Sequence, residues 1–351
     1  MIENKQIKTE KPLIAIHQRT GSFSRHWIKY CKTNGINYKT VNAYDSNIVQ
    51  QLEDCDAFLW HFTHQSPQDM NFAKQLLFSL QQSGKIVFPD FNTGWHFDDK
   101  LGQKYLFEAH NIRSAQAWAF YTKKEAIEWA KTAKFPKVFK LRGGSGSYNV
   151  KLVRNYHDAA RLIRKSFGSG YRSFDKTMHF FEVSKEFLRR DTTLKNFLSA
   201  FSLMFRRVSW DKLPIQREYC YFQEFIPNDG FDYRVEACGD KCIAMVRYCR
   251  KDDFRASGGH NDHFEKDLIP PDVISFSFEV MDKLKLQAGA LDIVRHKDTG
   301  ELYLVEVSYC YGLDEDEFDH GYWDRGCEWH DERFNGCDWI MERIINDCNN
   351  K

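Results

Sequence analysis

Between residues 12 and 90 the sequence alternates short apolar runs with helical stretches, and that rhythm limits the fold more than any other feature. Leu13-Ile-Ala-Ile16, Ala57-Phe-Leu-Trp60 and Ile86-Val-Phe88 are too short for buried helices and read as strands. Between them, Ser24 is placed to cap a helix that runs to Asn34-Gly35, and Ser66-Pro67 reads as an N-cap followed by proline at the first helical position, with a stop at Gly84. Strands joined through helices run parallel, with the helices packed on the faces of the sheet. The first part of the chain is therefore expected to be a small α/β domain.

From about residue 96 the pattern changes. A helix from Asp98 to His110 leads to Ala115-Gln-Ala-Trp-Ala119, a helix from Lys123 to Ala133, and two strands, Lys137-Val-Phe-Lys-Leu141 and Tyr148-Asn-Val-Lys-Leu-Val153, joined by a glycine-serine turn. Residues 158–215 read as largely helical; antiparallel strands are expected at 219–226, 233–237 and 242–248. A helix at 271–286, a hairpin of 291–295 with 302–307, and a last helix from about Glu332 to Ile345 complete the chain. The class is α/β followed by α+β, and 351 residues suit two or three domains of roughly 150 residues or fewer.

Composition removes several alternatives. Hydrophobic residues make up 42% and aromatics 15%, so the chain can build cores and is not disordered. A net charge of +1 gives no global bias towards nucleic acid or a membrane. Apolar runs such as Cys242-Ile-Ala-Met-Val246 fall far short of the roughly 20 residues that span a bilayer. The start, Met1-Ile-Glu-Asn-Lys-Gln6, lacks an apolar signal region, and ten scattered cysteines suit reduced thiols in the cytoplasm. Oligomeric state is not legible.

Gly143-Gly-Ser-Gly-Ser147 can cradle phosphate with backbone N–H groups, because glycine permits close approach. It has neither P-loop spacing nor G-x-G-x-x-G, since Asn149 occupies the last glycine position, and a strand follows it where a helix would be required. The plain alternative is a surface turn. Lys140 weighs against that alternative: it lies three residues before the glycines on an apolar strand, and a buried lysine needs an anionic partner.

Asp292 and Glu306 carry a stronger argument. Asp298-Thr-Gly300 is a turn between two strands, and Asp292 and Glu306 lie equally far on either side of Thr299, so they are expected to face each other. Alternation then puts Asp292, Glu306 and Ser308 on one face and Leu291, Ile293, Val305 and Val307 on the other. Opposed carboxylates repel unless neutralised. Oxygen ligands beside phosphate suit Mg²⁺ or Mn²⁺. Without a metal, replacing Asp292 by Asn is expected to leave stability unchanged or slightly raised.

The order of these pieces resembles the ATP-grasp superfamily, in particular its RimK-like carboxylate–amine ligases. The resemblance rests on Lys100, Lys140 with Gly143–Ser147, Gln223-Glu-Phe-Ile226, Asp232-Tyr-Arg234, Arg247, Phe254-Arg255, Asp292 and Glu306-Val-Ser308, and covers residues 96–310. It implies an ATP-grasp fold with an N-terminal α/β (pre-ATP-grasp) domain at 1–95, an ATP-lid domain at 96–225 with a helical insertion at about 165–217, and a C-terminal α+β domain at 226–351.

The resemblance also implies roles. Lys100 and Lys140 would contact the ATP phosphates, with Gly143, Gly144, Ser145, Gly146 and Ser147 closing over them. Gln223, Glu224, Phe225 and Ile226 would line the adenine site, with a backbone carbonyl and N–H from Glu224 and Ile226, and Asp232 would hold the ribose. Arg255, helped by Arg247, would neutralise the transferring phosphoryl group, and Asp292, Glu306 and Ser308 would bind Mg²⁺. The family usually has Asn where Ser308 stands, so one metal is weakened, lost or held through water. The implied reaction joins a carboxylate to an amine through an acyl phosphate, with ATP and Mg²⁺. The alternatives are a catalytically silent nucleotide-binding scaffold and a kinase-like phosphoryl transferase. The tail motif Gly321-Tyr-Trp-Asp324 with Trp329-His330 points to amino-acid or sugar-acid substrates by resemblance alone.

Other features carry less. Cys310, His320, Cys327, His330 and Cys337 lack the second tight pair of a zinc site. Asp314-Glu-Asp-Glu317 reads as a solvated loop, and Trp323 and Trp329 as packing aromatics near Tyr311 and Tyr322. The basic stretch 185–217 reads as an inserted helical subdomain whose charged face is either solvated or binds an anionic substrate or partner.

Overall fold

The computed structural model describes residues 11–144, 149–190, 192–250, 253–256, 261–312 and 319–351. Among them, β1 (Leu13–His17), β2 (Asn37–Val41), β3 (Ala57–Leu59) and β4 (Ile86–Phe88) form a parallel sheet in the order β2-β1-β3-β4. Helices α1 (Ser24–Asn34), α2 (Ile48–Gln51) and α3 (Pro67–Gln82) make the connections. Ser66 caps α3 by accepting from the Asp69 N–H, and Pro67 opens it. Gly35 closes α1 at φ +60°.

Ser24 does not cap α1. Phe23 is already helical, and the Ser24 hydroxyl donates instead to the Arg19 carbonyl at 3.1 Å, tying down the preceding loop. Helices α4 (Phe91–Gly94) and α5 (Lys100–Ala109) follow the sheet. Asp99 caps α5 through the Gly102 N–H, so the helix starts just after the expected Asp98.

A second sheet contains β5 (Ala117–Phe120), β6 (Lys137–Lys140), β7 (Lys151–Val153) and β8 (Cys220–Glu224) in the antiparallel order β5-β8-β6-β7. α6 (Lys123–Thr132) and α7 (Tyr156–Ser166) pack on it through Ala126, Ala130, Ala159 and Ile163 against Phe139 and Phe222. Asparagine and threonine caps at Asn155 and Thr122 start these two helices. α8 (Lys176–Leu188) and α9 (Leu194–Phe205) then pair with each other before the chain re-enters the sheet at β8.

The largest sheet holds β9 (Phe231–Cys238), β10 (Lys241–Tyr248), β11 (Asp262–His263), β12 (Ala288–Arg295), β13 (Leu302–Ser308), β14 (Tyr322–Asp324) and β15 (Trp329–His330). Its order is β13-β12-β9-β10-β14-β15, with β11 beside β10. α10 (Pro271–Leu284) buries Val273, Ile274, Phe278 and Met281 against it. α11 (Gly336–Asn349) returns to the first sheet, where Ile340, Met341 and Ile344 share a core with Ile14, Trp27 and Phe58. It begins later than the expected Glu332 because Asn335 is its cap and accepts from the Cys337 N–H.

The β12–β13 hairpin places Asp292 opposite Glu306, as its turn suggests, but reaches that register by another route. Near the turn, Arg295 pairs with Leu302 and Ile293 with Leu304, a frame centred one half-residue before Thr299. A bulge then leaves Val305 without a partner and restores the Asp292–Glu306 and Leu291–Val307 pairs. Val305 consequently joins Val294, Ala115 and Ile226 on the cleft side and not Leu291 and Val307 in the core. Strict alternation fails there because the bulge puts two consecutive side chains, Val305 and Glu306, on one face.

All ten cysteines are free. No group of three metal-ligating side chains occurs among the described residues. The tail candidates are dispersed: Cys337 is buried in the first core, His330 pairs with Asp324, and His320 stacks on Phe264. Trp323 and Trp329 pack edge to face at 4.4 Å. Among the described residues no helix is long and apolar enough to cross a membrane. Asp314-Glu-Asp-Glu317 lies outside the described residues.

Candidate active site

A cleft of about 340 Å³ opens between the second and third sheets, lined from β6, β8, β9, β12, β13 and the start of α5. One end is apolar, formed by Ala115, Val138, Phe225, Ile226, Val294 and Val305. The other is charged, formed by Asp98, Lys100, Lys140, Asp232, Arg234, Asp292 and Glu306, with His64 and Cys310 beyond. An apolar slot continuous with cations and carboxylates suits a molecule with an apolar ring at one end and phosphates at the other.

Lys140 ends β6, opposite Tyr221 of β8, and is only 7% exposed. Among the described residues its ammonium has no hydrogen-bond or ion-pair partner. Burial drags its pKa from 10.5 down to about 8, although Glu306 pulls the other way. Lys100, the first residue of α5, is buried too, but donates to Glu306 Oε1 at 3.1 Å and to the Gly144 carbonyl at 3.2 Å. Burial opposes its charge; Glu306 and Asp98 outweigh that and hold its pKa above the ordinary lysine value. The two lysines thus differ: one is satisfied within the protein and one is desolvated without a counter-charge in contact.

That difference predicts a pH dependence. In the free cleft Lys140 loses its proton above about pH 8, whereas a bound anion would hold the proton on. If the cleft takes a nucleotide, its affinity is expected to weaken by up to about tenfold per pH unit beyond that point. Calorimetric titrations from about pH 7 to about pH 9.5 check this, and a flat profile would remove Lys140 from the binding site.

The carboxylates are not left facing each other. Asp292 Oδ1 accepts from Arg234 at 2.9 Å and from Arg247 at 3.0 Å. Burial works against its charge, but Arg247 and Arg234 hold its pKa below the usual carboxylate range. Arg247 also grips Asp232 with two bonds of 2.8 Å, because β9 and β10 put the two residues opposite each other. Arg247 is therefore a support beneath Asp232 and Asp292 and is not among the side chains lining the cleft.

Arg234, two residues from Asp232, has a larger part than its sequence context suggests: it bridges Asp292 and Glu236. Ser308 lines the cleft, and its hydroxyl donates to the Cys310 carbonyl at 2.9 Å.

Glu224 and Lys137 pair at 2.8 Å across β6 and β8, fixing the edge of the apolar slot. Gln223 is buried, and Phe225 packs against Phe254. The Ile226 carbonyl accepts from Asn228. Arg255 also lines the cleft, held by Asp253 and by Glu182 of α8 at 3.0 Å.

The start of the glycine loop is anchored. Gly143 exchanges two bonds with the Gln216 side chain, and the Gly144 N–H donates to Asp98 Oδ1 at 2.7 Å. A Cβ on Gly143 would meet Asp98 Oδ2 at 2.8 Å, which explains glycine there. Ser145, Gly146 and Ser147 lie outside the described residues.

Three titratable cleft residues were given no role from the sequence: Arg234, quoted only as part of a motif, His64 and Asp98. Arg234 was detectable, since alternation puts it on the face of Asp232. His64 and Asp98 were not: they come from the segments following β3 and preceding α5, where no local spacing marks them. Asp98 holds φ +53°, an uncommon conformation for a non-glycine residue, and burial raises its pKa against the pull of Lys100.

A parallel α/β sheet, a four-stranded antiparallel lid and a larger antiparallel sheet enclosing such a cleft constitute the ATP-grasp fold. The structure resembles a RimK-domain ATP-grasp protein from Sphaerobacter thermophilus, at 14% identity and TM-score 0.55, covering 95% of this chain and 99% of that one. It resembles the ATP-grasp ligase PsnB, solved with a minimal precursor, at 11% identity and TM-score 0.56, over 97% and 100%. A third similar structure is the biotin carboxylase domain of the Hydrogenobacter thermophilus 2-oxoglutarate carboxylase, solved with MgADP and bicarbonate, at 13% identity and TM-score 0.56, over 95% and 69%. No protein-family model matches the sequence, and no curated protein matches it significantly.

Proposed function

We propose that the cleft binds ATP with Mg²⁺ and uses it to activate a substrate carboxylate as an acyl phosphate, which an amine then attacks. The observation that carries this reading is Lys140: a buried cation without a contacting counter-ion among the described residues, beside a paired Asp292 and Glu306 at the end of an apolar slot. The adenine would occupy the slot beside Ile226, and Lys100 and Lys140 would hold the phosphates.

The donor set fits magnesium. Asp292 and Glu306 present hard oxygens from adjacent strands, and Mg²⁺ is commonly held by one or two carboxylates with the remaining positions filled by phosphate and water. When bound, the ion would neutralise charge on the phosphates. The chain's own residues would do the rest. Arg234 and Arg247 would orient Asp292, Lys100 would orient Glu306, and Arg255 would meet charge that develops as the phosphoryl group leaves.

If Arg255 acts in that way, Arg255→Ala should lower turnover about 1,000-fold or more while changing ATP affinity much less. Equal losses in both would assign it to ground-state binding. Because Arg255 also pairs with Glu182, the folded state of the variant must be checked by circular dichroism.

The reaction class is tested by screening pools of carboxylates and amines for ADP release, with mass spectrometry of the product. Ligation predicts that ADP release needs both partners and yields an amide. A stable phosphorylated product without an amine would indicate a phosphoryl transferase. Nucleotide binding without consumption in any pool would indicate a scaffold, which is the outcome the serine at position 308 would suit.

A further inference from the structure

The α8–α9 hairpin is rich in large apolar residues and buries almost none of them. Helix α8 has no buried residue, and α9 has only Ala200. Leu194, Leu198, Phe201 and Phe205 are 57%, 54%, 48% and 75% exposed. At 3.6 residues per turn these four fall within an arc of about 60°, so they form one continuous stripe along α9. On α8, Phe181 and Leu188 are exposed at 58% and 83%.

The charge around this stripe is predominantly positive. Helix α9 contains no acidic residue, and Lys195, Arg206 and Arg207 flank its stripe. Over residues 185–207 there are six Lys or Arg against two Asp or Glu, in a chain whose net charge is only +1. The whole-chain balance therefore conceals a local basic, apolar surface.

What can cover it is limited by two observations. A second copy would bring its own Lys195, Arg206 and Arg207 against these in either helix orientation, so like charges would meet. A peptide helix docks into a groove between helices. Here that seam is filled: Phe187 stacks on Phe197 at 4.9 Å, and Phe180 packs on Phe197 and Phe201 at 5.6 and 5.7 Å. What remains is a ridge, with phenylalanine and leucine on the crest and cations beside it. A ridge of this kind matches an interfacial helix that lies in the plane of an anionic bilayer.

We propose that the α8–α9 hairpin seats the protein on an anionic lipid surface. The crest of α9 enters the acyl boundary, and Lys195, Arg206 and Arg207 lie among the headgroups. The seat is connected to the cleft, because Glu182 of α8 bonds Arg255 on the cleft wall. Neither the absence of a spanning helix nor the near-neutral total charge opposes this, since an interfacial helix needs neither. The proposal does not depend on the ligase reading.

The test is flotation of the full-length protein with vesicles of phosphatidylcholine alone and of phosphatidylcholine with phosphatidylglycerol. Binding is expected to the anionic vesicles and to weaken with salt. Leu198→Ser with Phe205→Ser should reduce it roughly 100-fold. Arg206→Gln with Arg207→Gln should reduce it about 30-fold. Both pairs are exposed, so the fold is expected to survive, as circular dichroism would verify.

Equal binding to neutral and anionic vesicles, or none to either, would overturn the proposal. So would a concentration-dependent dimer abolished by the serine pair without vesicle binding, which would identify a second copy as the occupant. Saturation by an acidic polypeptide such as polyglutamate, again without vesicle binding, would identify a protein partner instead.

Discussion

Asp292→Asn is expected to lower Mg²⁺-dependent ATP turnover at least about 100-fold and also to destabilise the protein. The first effect follows from loss of a carboxylate that would hold the metal against the phosphates. The second reverses what the sequence suggests. Two opposed carboxylates without metal should repel, and neutralising one should then cost nothing. The folded chain instead supplies Arg234 and Arg247 to Asp292 and Lys100 to Glu306. Removing the Asp292 charge leaves two largely buried guanidinium groups short of a counter-ion, which costs about 3 kcal/mol.

The sign with pH follows from the depressed pKa of Asp292. Its stabilising contribution is complete above the ordinary carboxylate range and is lost as pH falls through the depressed folded value. The stability gap between wild type and variant should therefore narrow in acid. Denaturant melts at neutral and acid pH measure this. A variant equal to wild type at neutral pH would show that the arginines are satisfied by Asp232 and Glu236 alone.

Lys140→Ala is expected to weaken ATP binding roughly 10- to 150-fold, the worth of one charge-assisted hydrogen bond. The same change should leave the unliganded protein as stable as wild type or slightly more so, because it removes a desolvated cation without a contacting partner. That opposite pairing, weaker binding with no loss of stability, distinguishes a ligand-directed lysine from a structural one. Lys137, which is tied to Glu224, should show the reverse pattern. Calorimetry and thermal melts on both variants separate the two cases.

How much of this was legible depends on how local each cause is. Caps and breakers act within a few residues, so Ser66-Pro67 and Gly35 announced their helices. Ser24 misled because a serine can bond backward to a loop as readily as forward to a helix. The Asp292–Glu306 pairing was legible from the turn, yet the bulge that moves Val305 into the cleft left no mark, since valine suits either face.

Lys140 could be singled out because a cation on an apolar strand is unusual. Its lack of a contacting partner among the described residues could not, because that depends on side chains from two sheets and the start of α5. His64 and Asp98 reach the cleft from outside any regular element, and the contacts of Arg247 and Arg234 with Asp292 depend on the pairing of β9, β10 and β12. Long-range register therefore accounts for most of what the sequence concealed.

We propose a cleft built for a nucleotide and a divalent cation. Calorimetric titration of the full-length protein with ATP, with and without Mg²⁺, tests it most directly. One saturable site is expected, tighter with Mg²⁺, competed by ADP and weakened in Lys140→Ala. Folded wild-type protein that takes up no ATP with Mg²⁺ present, or binds it equally well in the Lys140→Ala variant, would contradict it.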